Sequence, residues 1–403
     1  MTVTILPGKA EGTVSAPKSK SAAHRLLLCA GLANGMSTIR ELPRNRDIEA
    51  TISALSALGA EISLTGDTAT VKGCDPRSRK TLAVLPCGES GSTLRFLIPL
   101  CLLSGAPAKL TGTEKLLSRP LSEYESVFTE QGIRFFREKT SLSVEGKLAV
   151  GTYTIRGDVS SQFVTGLLFA LPLLKTDSRI RLIPPVESRP YIDLTLSALR
   201  EAGISAEWTD DTLLAVPGNQ HYRTLDAAVE GDWSNAAFLD ALNLLRGRVT
   251  VTGLNGRSLQ GDRIYPEYFR QLESGVPELD IRDCPDLGPV LFALAAAKNG
   301  AVFRGVARLR DKESDRIAAM QEELSKFRIR TEADRDTFRV FPGFMSPGAP
   351  LCGHNDHRVV MALAVLCTAA GGTIWGAEAV SKSFPDFFDK LTELGVEIHA
   401  VDQ

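Results

Sequence analysis

Charged residues gather in short clusters along the chain: SKSAAHR (19–25), GESGSTLR (88–95), SRP (118–120), RDKESDR (310–316), NDHR (355–358) and SKSFPD (381–386). The bases in or beside such segments are Lys20, Arg25, Arg95, Arg119, Arg189, Lys312, Arg316, Arg358 and Lys382. Bases collected at equivalent turns suit a small, multiply charged anion. Among them stand Asp286, Glu313, Asp315 and Asp356, with Asp286 expected to cap a helix. A carboxylate beside cations tends to stay ionised and can accept a proton, and a lysine among other cations, such as Lys20, releases its own more readily. These are the parts for shuttling protons on a polyanionic substrate.

Other chemistries find less support. His354 and His357 are three apart, but no third ligand completes a zinc set, and no metal is expected. No G-x-x-x-x-G-K-[ST] is present, CGESGSTLR is not a dinucleotide fingerprint, and ESG lacks the G-x-S-x-G frame of a nucleophile elbow.

The chain has 403 residues with 46 Lys+Arg against 48 Asp+Glu, a net charge of -2 that argues against a nucleic-acid or anionic-membrane binder. Aromatics are only 6%, which leaves little for base stacking. Hydrophobic residues at 43% can bury a core, but no apolar run reaches the about 18 residues of a membrane span. The seven dispersed cysteines and a start without signal or transit character point to reduced thiols and a cytoplasmic protein.

The elements that must position these clusters repeat. A helix ending near Gly, followed by two strands, is read at 54–73, 129–146, 199–218, 271–281, 323–343 and 391–401. Gly59, Gly132, Gly203 and Gly275 are spaced by 73, 71 and 72 residues. A polar cluster opening an apolar helix recurs at 19–33, 89–103, 160–174, 232–245, 285–297 and 355–370. A short strand and a charged turn recur at 37–47, 108–120, 179–190, 249–262, 301–315 and 373–386. The landmarks predict six α/β units of order β, helix, β, helix, β, β. Six units exceed one core, so two lobes of three are expected: 13–231, and 1–12 with 232–403. Helices of one orientation would then aim up to six positive N-terminal ends into the gap between the lobes.

The clusters, with SSQF (160–163), SRPYID (188–193), QGD (260–262), PD (285–286), KESDR (312–316) and SKSFPDFF (381–388), occur in an order and spacing that resembles the EPSP synthase family of enolpyruvyl transferases over essentially the whole chain. The resemblance implies a two-lobed inside-out α/β barrel, with three βαβαββ copies per lobe, closing on substrate. It implies transfer of the enolpyruvyl group of phosphoenolpyruvate to the 5-hydroxyl of shikimate 3-phosphate, through a tetrahedral intermediate that loses phosphate. No cofactor, metal or covalent enzyme adduct is implied. The expected partners are the two small substrates, with no nucleic acid and no membrane, and the expected state is a monomer.

The same resemblance implies roles. Lys20, Asp286 and Glu313 are the catalytic set: Lys20 as a shared contact and proton-transfer group, Asp286 taking the 5-hydroxyl proton, Glu313 protonating the methylene carbon. Lys20, Ser21, Arg25, Ser160, Ser161, Gln162, Ser188, Tyr191, Asp286 and Lys312 would hold shikimate 3-phosphate. Lys20, Gly91, Arg95, Arg119, Gln162, Arg316, Arg358 and Lys382 would hold phosphoenolpyruvate, with Asp356 orienting the network. Lys18, Glu89, Phe96 and Arg308 depart from the usual family pattern; Phe96 follows Arg95 where Pro is common, and an altered affinity for glyphosate is expected.

Three rivals fit less well. The UDP-N-acetylglucosamine enolpyruvyl transferases expect K-N-A near the start and a Cys before R-P, where this chain has SKSAAHR and KLLSRP. The RNA 3′-phosphate cyclases need a nucleotide, a catalytic His and a basic face. An inactive scaffold would be expected to lose some of Lys20, Asp286 and Glu313, which are all present.

Overall fold

Along Ser178–Ile183 every second residue is buried: Ile180 and Leu182 face a core while Arg179 and Arg181 face water. This alternation of period two makes a strand with one covered face. It pairs in parallel with Thr152–Arg156, placing Ile180 opposite Tyr153, and antiparallel with Leu213–Val216, placing it opposite Leu214. A parallel neighbour requires a crossover, and an apolar helix supplies it.

The computed structural model of the chain describes residues 1–401. Its contacts divide it into two units: Lys18–Glu230, and Met1–Pro17 with the chain from Gly231 on. In the first unit, three four-stranded sheets begin at Asp226–Ala228, Ala83–Gly88 and Thr152–Arg156, each with one parallel pair and two antiparallel ones. The helices that carry the charged clusters are α1 (Lys20–Leu32), α2 (Arg46–Leu58), α3 (Gly91–Cys101), α4 (Ser161–Ala170) and α5 (Arg189–Glu201). α1, α3 and α4 are buried almost all round, as helices apolar on every face must be. α2 packs against α1 and α3 and buries Ile48, Thr51, Leu55 and Leu58, the stripe of an amphipathic helix.

In the second unit, α6 (Gly288–Ala297), α7 (Arg316–Lys326) and α8 (His357–Ala370) pack behind two four-stranded sheets and one two-stranded sheet. The mixed α/β architecture is as expected, and the details differ in four places. The fourth copy is abbreviated: Glu11–Ser15 pairs in parallel with Arg248–Thr252, and no closing hairpin follows among the described residues. The strand Glu278–Asp280, expected to close that copy, instead opens the next sheet against Ala301–Arg304, and Gly275 is extended at φ 177 rather than left-handed. Because Glu11–Ser15 needs Arg248–Thr252, residues 13–17 stay with the second unit, and the boundary lies at 17/18 and 230/231. The sixth sheet takes its third strand from the chain's beginning: Thr2–Ile5 lies between Gly372–Trp375 and Ile398–Val401.

Helix starts follow the polar clusters. The side chains of Ser19, Ser90, Ser160, Asp315 and Asp356 each accept from an amide in the first turn of α1, α3, α4, α7 and α8. Asp286 does not: it lies in the tight turn Pro285–Leu287 before α6, and its carboxylate is turned to cations instead.

Candidate functional site

In the first unit, the N-terminal turns of α1, α3 and α4 carry the expected groups. Lys20, the first residue of α1, places Nζ 2.8 Å from Asp47 Oδ2. Asp47 was not singled out from the sequence, although it is the acid that ends the charged turn 37–47. Arg25, one turn further along, is buried; its Nε donates to the Thr195 hydroxyl at 2.9 Å, Nη1 to the Ser21 carbonyl at 2.7 Å and Nη2 to the Tyr191 carbonyl at 2.8 Å. These acceptors are neutral. Burial lowers the guanidinium to about 10, against an upward pull from Tyr191 and Cys29. Its Cζ also lies 5.6 Å from the Phe96 ring centre, so the residue that departs from the family pattern packs on this cation.

Arg95 reaches from α3 to α4: Nη1 donates to Gln162 Oε1 at 2.6 Å and Nη2 to the Pro120 carbonyl at 3.0 Å. Gln162 in turn donates to the Ser92 hydroxyl at 3.0 Å. Gly91 lies against both cations of this corner. A Cβ there would meet Arg119 Nη1 at 2.6 Å and Arg95 Nη1 at 3.5 Å, so only glycine lets the Arg119 guanidinium sit where it does. Ser160 caps α4 through the Gln162 amide. Ser188 is left-handed at φ 55 and receives the Tyr191 amide on its carbonyl; Ser161 opens α4 and is buried. Arg189 stacks on Trp208 and pairs with Asp211, away from the bonds just described.

In the second unit, Arg316 is the hub. Its Nε donates to Asp356 Oδ2 at 2.9 Å, Nη1 to Asp286 Oδ1 at 2.9 Å and Nη2 to Glu313 Oε2 at 3.0 Å. Burial alone would lower this guanidinium, but Asp356, Glu313 and Asp286 outweigh it and hold it above its ordinary value. Asp286 also meets Lys312 Nζ at 3.5 Å and Arg358 Nη2 at 3.4 Å. Burial lowers the Lys312 ammonium to about 8, although Asp286 pulls it the other way. Asp356 is sealed at 0% exposure, and burial would raise its carboxyl, yet Arg316 keeps it below the usual range. Asp286 and Glu313 keep about a fifth of their side-chain surface open, 21% and 20%. Two acids are thus open to a substrate, and the third is part of the scaffold that fixes them.

Arg358 donates to Asn235 Oδ1 at 3.1 Å, a partner the sequence reading missed, and lies over Phe238. Lys382 Nζ donates to the Asn355 carbonyl at 2.7 Å, next to Asp356. Asp315 caps α7 and pairs with Arg310, so it is structural here. A cavity of about 240 Å³ lined by Leu32, Asp75, Arg77 and His221 opens at the C-terminal end of α1. It lies roughly 20 Å along that helix from Lys20 and does not touch these groups.

Comparison with known proteins shows the family. Residues 6–391 match the family model described as EPSP synthase (3-phosphoshikimate 1-carboxyvinyltransferase). A 3-phosphoshikimate 1-carboxyvinyltransferase of Clostridium kluyveri is 40% identical over 418 residues, covering 98% of each chain. One from Clostridium botulinum is 36% identical over 426 residues, covering 99% of this chain and 98% of the relative. The solved EPSP synthase of Acinetobacter baumannii shares the fold with a TM-score of 0.79 at 22% identity, over 99% of this chain and 100% of that one. A match across nearly the full length, to relatives above a third identical, places this chain in the EPSP synthase family.

Proposed function

We propose that this chain transfers the enolpyruvyl group of phosphoenolpyruvate to the 5-hydroxyl of shikimate 3-phosphate. The 5-oxygen bonds to the central carbon of phosphoenolpyruvate while a proton reaches its methylene carbon. The tetrahedral intermediate then loses a proton from the new methyl group and expels phosphate, leaving the enol ether. Asp286 takes the hydroxyl proton, Glu313 serves the methylene carbon, and Lys20 is the third proton-transfer group. Ser21, Arg25, Ser160, Ser161, Gln162, Ser188, Tyr191 and Lys312 hold shikimate 3-phosphate. Gly91, Arg95, Arg119, Gln162, Arg316, Arg358 and Lys382 serve phosphoenolpyruvate. In this reading the unit 18–230 serves mainly the shikimate phosphate.

The observation that supports these roles best is the shared guanidinium. Arg316 bonds Asp286, Glu313 and Asp356 at once, and the first two remain partly open. A substrate that takes over a bond from Arg316 frees a carboxylate for proton transfer. The UDP-N-acetylglucosamine reading is not favoured by the family match. We further take the protein to be a cytoplasmic monomer, as two small soluble substrates require neither membrane nor partner chain; no helix among the described residues is long and apolar enough to cross a membrane.

The test is direct. Purified protein given both substrates should release phosphate and form the enol ether. Asp286→Ala should lose on the order of 10²–10⁴ in kcat while melting as a folded protein. Phosphate release at the wild-type rate in that variant refutes the assignment.

A further inference from the structure

Glu323 stands two turns along α7 from Arg316 and is sealed at 0% exposure. A buried carboxylate needs donors on both oxygens, and Glu323 has them. The Cys352 amide donates to Oε2 at 2.9 Å, His354 Nε2 lies 2.7 Å from Oε1, and Lys326 Nζ lies 2.9 Å from each. Burial pushes this carboxyl up, but the bonds from His354, the Cys352 amide and Lys326 leave it below its ordinary value. The same bond to Glu323 lifts the His354 imidazole above its own. Glu322, Glu323 and His354 are close enough to share a cation, but the Lys326 ammonium already bonds both Glu323 oxygens. The cluster therefore reads as an ion-paired brace.

What it braces is unusual. His354 and Asn355 are consecutive left-handed residues, at φ 49 and 51. Side chains disfavour that region, and two in a row persist only where the surroundings fix them. This pair turns the Asn355 carbonyl to Lys382 Nζ at 2.7 Å and delivers Asp356 to the start of α8, two residues before Arg358. α7 thus grips the loop twice: Arg316 on Asp356 at its first residue, Glu323 on Cys352 and His354 seven residues later.

We propose that Glu323 and His354 are a positioning pair for the phosphoenolpyruvate side of the reaction: their bond holds the left-handed run 354–355, and through it sets where Lys382 and Arg358 stand. The role rests on the reading that Lys382 and Arg358 serve phosphoenolpyruvate. Neither Glu323 nor His354 is asked to touch substrate.

The experiment compares the full-length wild type with Glu323→Gln, His354→Gly and His354→Gln. Glu323→Gln should raise KM for phosphoenolpyruvate about tenfold or more, the scale on which displaced supporting groups act, and change KM for shikimate 3-phosphate less than about twofold. His354→Gly keeps the left-handed backbone comfortable but removes the brace, and should lose as much. His354→Gln restores a donor for Glu323 and should recover most of the loss. Unchanged constants in Glu323→Gln overturn the proposal, as does an equal rise in both KM values that tracks lost thermal stability. Amide exchange across 352–358 reads the brace without turnover, and should quicken about tenfold in Glu323→Gln while α8 beyond its first turn is unchanged. If the wild type itself fails to turn over, the functional reading falls, and this exchange still decides the brace: unchanged protection of 352–358 overturns it.

Discussion

Arg25 and Arg316 are equally deep in their two units, 3% and 1% exposed, yet they are held by opposite kinds of partner. Arg25 donates to a hydroxyl and two backbone carbonyls; Arg316 donates to three carboxylates. The first is lowered by burial to about 10, and the second ends above its ordinary value. A cation buried among neutral acceptors is a standing cost that a bound anion relieves. A cation buried among carboxylates is already compensated, and what it contributes is the arrangement of the acids. Arg25 therefore has charge to share with an incoming anion, whereas Arg316 has its charge already matched.

The contrast is open to breaking. Arg316→Met leaves Asp286, Glu313 and Asp356 without their common donor, and should cost about 3–5 kcal/mol in a denaturant melt. A loss below about 1 kcal/mol would mean that the cluster does not depend on its hub. Arg25→Met should keep or slightly raise the stability of the free protein, but weaken shikimate 3-phosphate by about 2–5 kcal/mol in a binding titration. Inorganic phosphate should raise the melting temperature of the wild type more than that of this variant. If Arg25→Met is as unstable as Arg316→Met, the two sites are alike after all.

Smaller changes sharpen the picture. Gly91→Ala drives a Cβ to 2.6 Å from Arg119 Nη1, so the guanidinium must shift. KM for phosphoenolpyruvate should rise about tenfold, while that for shikimate 3-phosphate stays near wild type. Lys312 is lowered from 10.5 to about 8. The folded protein therefore binds fewer protons there than the unfolded chain across that window, and this group's contribution to stability rises with pH through it. In the role proposed for Lys312, substrate binding runs the other way, since an anion needs the ammonium. kcat/KM for shikimate 3-phosphate should fall as pH climbs through about 8, and Lys312→Arg should flatten that limb.

Local features were legible from residue order alone. The α/β alternation, the roughly seventy-residue period and the caps at Ser90, Ser160 and Asp356 depend on neighbours a few positions away. Bonds across long separations were not. Arg25 finds Thr195 170 residues on, and Arg358 finds Asn235 123 residues back. Glu323 sits in an amphipathic helix, where burial reads simply as core; only the returning Cys352–His354 segment shows what it holds. Asp286 sat where other copies have a cap, and nothing nearby in the chain shows that three cations from later segments turn its carboxylate away from that task.

The strand Thr2–Ile5, seated between Gly372–Trp375 and Ile398–Val401, has a consequence for how the molecule comes into being. Its neighbours lie far along the chain, with Thr4 bonded to Thr373 across 369 positions, so this sheet closes only through contacts of long sequence separation, which are slow to find. Until those contacts form, Gly372–Trp375 and Ile398–Val401 have no strand to join them, and the sheet is open in its middle.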